Sequence, residues 1–173
     1  MKFRKSNLED VPSIMHIINK AKTSLKASGI DQWQNGYPNE EVIKEDILRG
    51  ESYVATLKGV VVGTVAITFG IEHHYEHIRE GEWLNNDGEY GVIHRIAVDD
   101  DYKGKGIAGF LMNHAKVIGE GKIHSLRIDT HEKNLPMQRA IMKAGFSYCG
   151  KVTIQEGGER FTFENDFTKL SKQ

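Results

Sequence analysis

Residues 103–109, Lys-Gly-Lys-Gly-Ile-Ala-Gly, are the most informative feature of this chain. They follow an apolar run, Val92–Val98, that is typical of a buried strand. They open onto Ile107–Gly119, where apolar residues recur at helical spacing. A strand, a glycine-rich turn and a helix N-terminus form an anion site, because free N–H groups converge there and the helix dipole adds positive potential. The sequence therefore predicts a phosphorylated ligand at this turn.

The turn also contains Gly104-x-Gly106-x-x-Gly109, the pattern of dinucleotide-binding proteins, and Asp129 lies twenty positions after the last of these glycines. A dinucleotide turn normally leaves its strand at once and belongs to the first βαβ unit. Here residues 99–103 intervene, and the motif lies past the middle of the chain. A nicotinamide or flavin site and a glycine turn without a ligand are therefore the alternatives to a third interpretation.

The third interpretation draws on two later motifs. The frame Lys103-x-x-Gly106-x-Ala108 resembles the pyrophosphate loop of the GNAT N-acetyltransferase superfamily, Gln/Arg-x-x-Gly-x-Gly/Ala, with Lys as the cation of the first position. In that family an Asn after the next strand begins a helix that ends in Gly-Phe. This chain has Asn134 and Gly145-Phe146 at the family spacing. The resemblance covers residues 2 to about 166.

Apolar periodicity, caps and turns predict the element order β-α-α-β-β-β-α-β-α-β-β, which matches the superfamily. The predicted fold class is α/β (α+β). Its central sheet is mixed and mostly antiparallel, has about seven strands and carries helices on both faces. The resemblance implies that the strand ending at Val98 and the strand 126–130 splay apart and expose backbone groups to a cofactor. A length of 173 residues predicts one domain, residues 1–173.

The resemblance implies acetyl-CoA as the cosubstrate. N–H groups of the turn suit its pyrophosphate, a strand edge suits its amide-rich pantetheine arm, and a strand N–H suits its thioester carbonyl. The side-chain amide of Asn134 suits pantetheine, and capping of the following helix is an alternative role for it. The residues predicted to bind acetyl-CoA are Ile96, Ala97, Val98, Lys103, Gly104, Lys105, Gly106, Ile107, Ala108, Gly109 and Asn134.

His94 is the predicted general base. A free alkyl amine is only about 0.1% neutral at pH 7, so a base assists its attack, and an imidazole pKa of ~6.5 suits that task. Family members often place a base near this position. A period of two residues places His94 on the same strand face as Ile96 and Val98, and Arg95 on the opposite face, in a salt bridge under a helix. The alternative for His94 is a structural hydrogen bond in the sheet.

The general acid is where the sequence departs from the family. Counting back from Gly145-Phe146, the superfamily usually has a Tyr that returns a proton to the CoA thiolate, whereas this chain has Ile141. Tyr148 is the predicted acid, with Tyr102 as an alternative. Departure of the thiolate without an acid is a further alternative, since a thiol of pKa ~8.5 is a good leaving group. Packing in the core explains the identity of Ile141.

The loop 29–38 joins the first two helices, and its aromatic residues Trp33 and Tyr37 are predicted to bind the acceptor, with an aromatic plug over the core as the alternative. Segment 70–89 contains His73, His74 and His77. The glutamate of the HExxH zinc motif is absent, so the segment is interpreted as a solvated charged loop and no metal is expected.

Composition narrows the class of partners. A net charge of −1 with interspersed signs gives no electrostatic case for nucleic acid. No run of about 18 apolar residues occurs, so no membrane partner is expected. The single cysteine, Cys149, predicts a reducing, cytoplasmic setting and a small buried side chain rather than a nucleophile. Homodimer formation is left open.

The sequence therefore predicts a cytoplasmic N-acetyltransferase. It would transfer the acetyl group of acetyl-CoA to the primary amine of a small-molecule or peptide acceptor by direct attack in a ternary complex. The alternative function is an acyl-CoA-binding sensor with little turnover, which the loss of the family Tyr at Ile141 motivates.

Overall fold

The computed structural model describes residues 1–86, 88–154 and 158–168. Its strands are β1 (Lys2–Lys5), β2 (Ser52–Leu57), β3 (Val60–Phe69), β4 (Tyr90–Val98), β5 (Ser125–Thr130), β6 (Ser147–Thr153) and β7 (Glu159–Asp166). Its helices are α1 (Val11–Ala27), α2 (Glu40–Leu48), α3 (Ile107–Gly119) and α4 (Leu135–Lys143), with short 3-10 helices at Leu8–Asp10, His73–His77 and Asp100–Tyr102. The predicted turn of the last hairpin at Gly157-Gly158 lies partly outside the described residues.

The strands follow the order β1-β2-β3-β4-β5-β7-β6 in a seven-stranded sheet. Strands β4 and β5 pair in parallel, whereas β1–β2, β2–β3, β5–β7 and β6–β7 pair antiparallel. The predicted fold class and element order are thereby confirmed. The pairing of β4 with β5 covers Tyr90–Ile93 and Ser125–Ile128. The splay of these strands beyond that point stays a prediction.

The chain divides into two compact units. The first unit comprises Met1–Ile67 and His94–His114, and the second comprises Thr68–Ile93 and the residues from Ala115 onward. The division falls within β4, whose first four residues belong to the second unit. The prediction of one domain over residues 1–173 stays a prediction.

In the first unit, α1 and α2 pack on one face of β2. Asn7 and Asp10 form a reciprocal capping box before α1, and Asn39 caps α2, as the sequence predicts. The apolar face of these helices buries against Val54 in a cluster of Val11, Ile14, Ile18, Ile43 and Val54. The opposite face of the sheet belongs to α3, since Gly63 pairs with Ala55, the neighbour of Val54, and lies against α3.

The interpretation of segment 70–89 as a solvated loop is wrong for its two large aromatic residues, although most of its described residues are exposed or half-buried. Tyr75 and Trp83 of this segment are buried, and they form a core cluster with Val92, Cys149 and Val152. The Trp83 indole N–H donates to the Tyr75 carbonyl over 2.8 Å, which satisfies its polar end inside the cluster. The prediction failed because two aromatic residues eight positions apart supply the burial, without helical or strand periodicity. No helix in the described part of the chain is long and apolar enough to cross a bilayer.

Candidate active site

The glycine-rich turn has the backbone geometry of an anion site. Gly104 and Gly106 both have a φ of 76°, in the left-handed region that favours glycine. The N–H of Phe110 donates to the Gly106 carbonyl over 3.0 Å, so Gly106 is the N-cap residue directly before α3. The N–H groups of Ile107–Gly109 therefore have no acceptor within the helix. They point along the helix axis at the positive end of its dipole, where an anion is stabilised.

The space beside this turn is open to a ligand. A Cβ atom built on any of Gly104, Gly106 and Gly109 would meet no atom of the protein within 4 Å. The residues before the helix are exposed, whereas Ile107 is buried and anchors its first turn. Bare backbone with open space fits a pyrophosphate, which needs several N–H donors and room for its oxygens.

Charged side chains stabilise the segment between β4 and the turn. The Asp99 carboxylate accepts from the N–H of Asp101 over 3.0 Å and lies 3.6 Å from the ammonium of Lys20 on α1. Lys103 Nζ lies 2.7 Å from Asp100 Oδ1, and this hydrogen-bonded cation lowers the pKa of Asp100. The contact holds Lys103, the cation of the predicted pyrophosphate frame, beside the turn.

Close packing holds α3 against β3. A Cβ atom on Gly63 would lie 2.9 Å from Ile107 Cγ2 and 3.1 Å from Leu111 Cδ1. Only a residue without a side chain therefore lets the first turns of α3 approach the strand this closely. The sequence analysis assigned Gly63 no role, because a single glycine in a strand has no pattern that identifies what lies opposite.

Strand β4 is bent at Arg95. This residue has a φ of 49°, which costs an L-residue about 1–2 kcal/mol. A left-handed residue inside a strand produces a bulge-like bend, so the period of two residues does not carry across it. The prediction that His94 and Ile96 share a face assumed regular alternation, which the bend at Arg95 interrupts, and it stays a prediction. His94 is half-buried, and its role as a base stays a prediction.

The predicted salt bridge of Arg95 under a helix is confirmed. Arg95 donates from Nε to Asp46 Oδ2 and from Nη2 to Asp46 Oδ1, both over 2.7 Å, and Asp46 lies on α2. Arg95 Nη1 donates to the Tyr37 hydroxyl over 2.7 Å. Sequence reasoning missed Asp46, because an aspartate on an amphipathic helix gives no local signal of a buried partner.

The two aromatic residues of the loop between α1 and α2 differ in their environment. Trp33 is partly buried and packs on the cluster of Val11, Ile14 and Ile43, so the aromatic-plug interpretation fits it. Tyr37 is partly exposed, and its hydroxyl is tied to Arg95. The predicted roles of both residues in acceptor binding stay predictions.

The second unit contains the other predicted site residues. Asn134 Oδ1 accepts from the N–H of Met137 over 3.3 Å, so Asn134 caps α4. Ile141 is fully buried on α4, which agrees with a packing role. Tyr148 is 46% exposed, and its ring meets the rings of Phe161 and Phe163 edge to face.

The same unit has a buried polar network. Glu164 Oε1 accepts from Ser125 Oγ over 2.6 Å and from Arg127 Nε over 3.1 Å. Glu164 Oε2 accepts from the backbone N–H groups of Leu84 and Asn85. The Arg127 guanidinium also lies 4.1 Å from the ring centre of Trp83, a cation–π distance. This network ties segment 70–89 to β5 and β7.

Two further groups bear on possible chemistry in this unit. Burial raises the pKa of the Cys149 thiol to about 11, which keeps it protonated at neutral pH and agrees with a buried hydrophobe. Burial also raises the pKa of Asp129, whose Oδ2 accepts from the Tyr75 hydroxyl over 2.6 Å. Among residues 1–86, 88–154 and 158–168, no group of three or more His, Cys, Asp or Glu could hold a metal ion.

The fold and the turn together define the class. The observed element order and the glycine-rich turn at the start of α3 are the arrangement that the resemblance describes for acetyltransferases. A sequence model of the Acetyltransferase (GNAT) family matches residues 13–146, and the chain belongs to this family. A search of curated proteins finds no match.

Several solved structures are similar in fold to this chain. A GNAT-family acetyltransferase from Streptococcus agalactiae is 34% identical, with a TM-score of 0.87 over 95% of this chain and 94% of that one. A ribosomal-protein-alanine N-acetyltransferase from Brucella melitensis is 18% identical, with a TM-score of 0.67 over 96% and 99%. The yncA protein of Salmonella typhimurium, solved with acetyl-CoA, is 18% identical, with a TM-score of 0.62 over 96% and 93%. At these identities the last two show the fold alone.

Proposed function

We propose that this protein is a cytoplasmic N-acetyltransferase that transfers the acetyl group of acetyl-CoA to the primary amine of a small molecule or a peptide. The observation that carries the proposal is the open turn at Gly104–Gly109, whose free N–H groups suit a pyrophosphate, in a chain of the GNAT family. The acetyl-CoA that yncA holds in its structure supports the same cosubstrate here.

The turn and β4 would bind different parts of acetyl-CoA. The N–H groups of Ile107–Gly109 and the ammonium groups of Lys103 and Lys105 would neutralise the pyrophosphate. Backbone groups of Ile96–Val98 would pair with the pantetheine amides and donate to the thioester carbonyl, where negative charge develops. The side-chain amide of Asn134 would contribute through atoms other than its capping Oδ1.

The reaction needs one proton acceptor and a leaving group. The neutral amine nitrogen forms a bond to the thioester carbon, His94 accepts the amine proton, and the carbon–sulfur bond breaks with its electron pair on sulfur. Tyr148 is the proposed donor of a proton to that thiolate. Ile141 cannot supply one, because its side chain is aliphatic and fully buried.

The acceptor class rests on the family and on one neighbour. The Brucella melitensis protein acts on alanine of a ribosomal protein by its name, which supports a peptide amine as one acceptor to test. Trp33 and Tyr37 are the proposed acceptor contacts. The net charge of −1 gives no preference for a polycationic acceptor.

Ile141 motivates a second candidate function. A chain with the cofactor turn but without the family acid could bind acyl-CoA as a sensor and turn it over little. Binding of acetyl-CoA is common to both functions, whereas release of free CoA in the presence of an amine belongs to the enzyme alone.

Calorimetric titration with acetyl-CoA, CoA, NAD and FAD, followed by thiol release from acetyl-CoA over a panel of amines and peptides, tests the proposal. We expect binding of acetyl-CoA and CoA only, and amine-dependent release of thiol. Binding without release for any amine supports the sensor. Binding of NAD or FAD in place of CoA contradicts both functions.

A further inference from the structure

Arg95 joins three parts of the first unit through one guanidinium group. Its Nε and Nη2 form a two-pronged contact with the carboxylate of Asp46 on α2, and its Nη1 reaches the hydroxyl of Tyr37 in the loop before α2. The side chains of Arg95 and Asp46 are 13% and 5% exposed. Paired N–H donors on one carboxylate fix both distance and orientation, which a single contact does not.

The backbone of Arg95 is the bend of β4. Its left-handed φ of 49° is unfavourable for a residue with a Cβ, and such a conformation persists only where the surroundings hold it. The contacts with Asp46 and with the Tyr37 hydroxyl restrain this side chain. Ile96 and Val98 follow the bend on β4. The bend therefore determines the direction in which their N–H groups can donate.

We propose that Arg95 is a positioning residue for the transfer reaction. Held by Asp46, it fixes the bend of β4, and with it the direction of the N–H groups that would meet the thioester. Through Tyr37, the same guanidinium fixes the loop proposed to bind the amine. One side chain would thus position both the strand that meets the acyl donor and the loop that meets the acceptor. This inference rests on the proposed function.

The experiment compares Asp46→Asn with Asp10→Asn. Asp10 also forms a two-pronged contact with an arginine, Arg4 on β1, over 2.7 and 2.9 Å in the same unit, although the Arg4 side chain is 43% exposed and Asp10 also accepts from the Asn7 N–H. Each substitution removes one carboxylate from one arginine. At a temperature where both variants are folded by circular dichroism, we expect Asp46→Asn to lower kcat about tenfold and to weaken acetyl-CoA binding about fivefold. Asp10→Asn should change neither by more than about twofold.

Two further variants separate positioning from stability. Arg95→Lys keeps the charge but cannot form the fork, so it should lower kcat as Asp46→Asn does. Tyr37→Phe removes only the hydroxyl. It should raise KM for the amine about fivefold and leave KM for acetyl-CoA within about twofold. A loss of stability alone would not divide the two KM values in this way.

Several outcomes would overturn the proposal. Equal kinetics and equal acetyl-CoA affinity in Asp46→Asn and Asp10→Asn would do so. If Asp46→Asn does not fold, Arg95→Lys with wild-type kcat and affinity contradicts the proposal. If the wild-type protein binds acetyl-CoA but acetylates no amine, the proposed function fails. The affinity comparison then still tests whether Arg95 positions the strand.

Discussion

Each compact unit contains a buried pair of an arginine and a carboxylate, and the two pairs differ in the backbone that carries them. Arg95 lies on a strand that bends at Arg95 itself, and Asp46 reaches it from a helix. Arg127 lies opposite Glu164 in a regular antiparallel register of β5 and β7, with side chains 6% and 0% exposed. The first pair restrains an irregular backbone next to His94. The second pair holds segment 70–89 to β7, because Glu164 also accepts from the backbone N–H groups of Leu84 and Asn85. A guanidinium and a carboxylate therefore restrain the backbone of a strand in the first unit and hold a segment to the sheet in the second.

Glu164→Gln should give the largest effect, because it tests the cohesion assigned to the second pair. The amide would leave Arg127 without its counter-charge and turn an NH2 group toward N–H donors. We expect the free energy of unfolding to fall by about 3 kcal/mol in urea denaturation. Glu159→Gln is the control, since Glu159 pairs with Arg79 on the surface with both side chains about half exposed. It should cost less than about 1 kcal/mol. Equal losses would mean that burial of the Glu164 pair contributes nothing.

His94→Ala tests the geometry assigned to the first unit. If His94 is the base, kcat/KM should fall about 10²-fold, and the acidic limb near pH ~6.5 should disappear from the rate profile. His114→Ala is the matched control, because His114 belongs to the same unit, stacks on Phe3 and meets the ring of Phe110 edge to face. It should retain the limb. An unchanged pH profile in His94→Ala would assign the base elsewhere.

Gly106→Glu tests the anion site of the same unit. Side-chain bulk and a negative charge at the turn should weaken CoA binding at least about tenfold, or about 1.4 kcal/mol. Gly59→Glu controls for both the added charge and the backbone strain, since Gly59 also has a positive φ, 81°, and no atom of the protein within 4 Å of a built Cβ. CoA affinity measured by calorimetry should stay at the wild-type value in Gly59→Glu. Equal weakening in both would remove the turn as the pyrophosphate site.

The smallest effects concern two aspartates whose pKa values shift in opposite directions. The hydrogen bond from Arg4 lowers the pKa of Asp10, so its stabilisation is present above the unfolded pKa of ~3.9 and is lost as pH falls through the folded value. Burial raises the pKa of Asp129, so ionisation of Asp129 costs stability above its folded pKa, and this cost vanishes below ~3.9.

Urea denaturation from pH 3 to pH 7 measures both aspartates. Relative to wild type, Asp10→Asn should be about 1 kcal/mol less stable at pH 7, with the difference closing as the solution is acidified. Asp129→Asn should be at least as stable as wild type at pH 7, because the Tyr75 hydroxyl can still donate to an amide oxygen. Its relative stability should fall as the solution is acidified. Differences of the same sign in both variants would contradict the opposite shifts.

Much of the fold could be predicted from the sequence. The caps at Asn7 and Asn39 are local signals, since a polar side chain that bonds the first turn lies within three residues of it. The glycine turn is local as well, because its backbone angles depend on its own residues. The burial of Tyr75 and Trp83 was not predictable in this way, because Trp83 contacts its partners over long sequence separations that no periodicity reports.

The candidate site likewise has features that local sequence predicts and features that only long-range contacts create. Residue type at fixed spacing was enough to identify the glycine-rich turn, the family and the positions of His94 and Ile141. Only the tertiary structure decided the bend at Arg95 and its partner Asp46. These residues are 49 positions apart, and a charged pair at that separation is recognised only once the chain has folded and removed both groups from water.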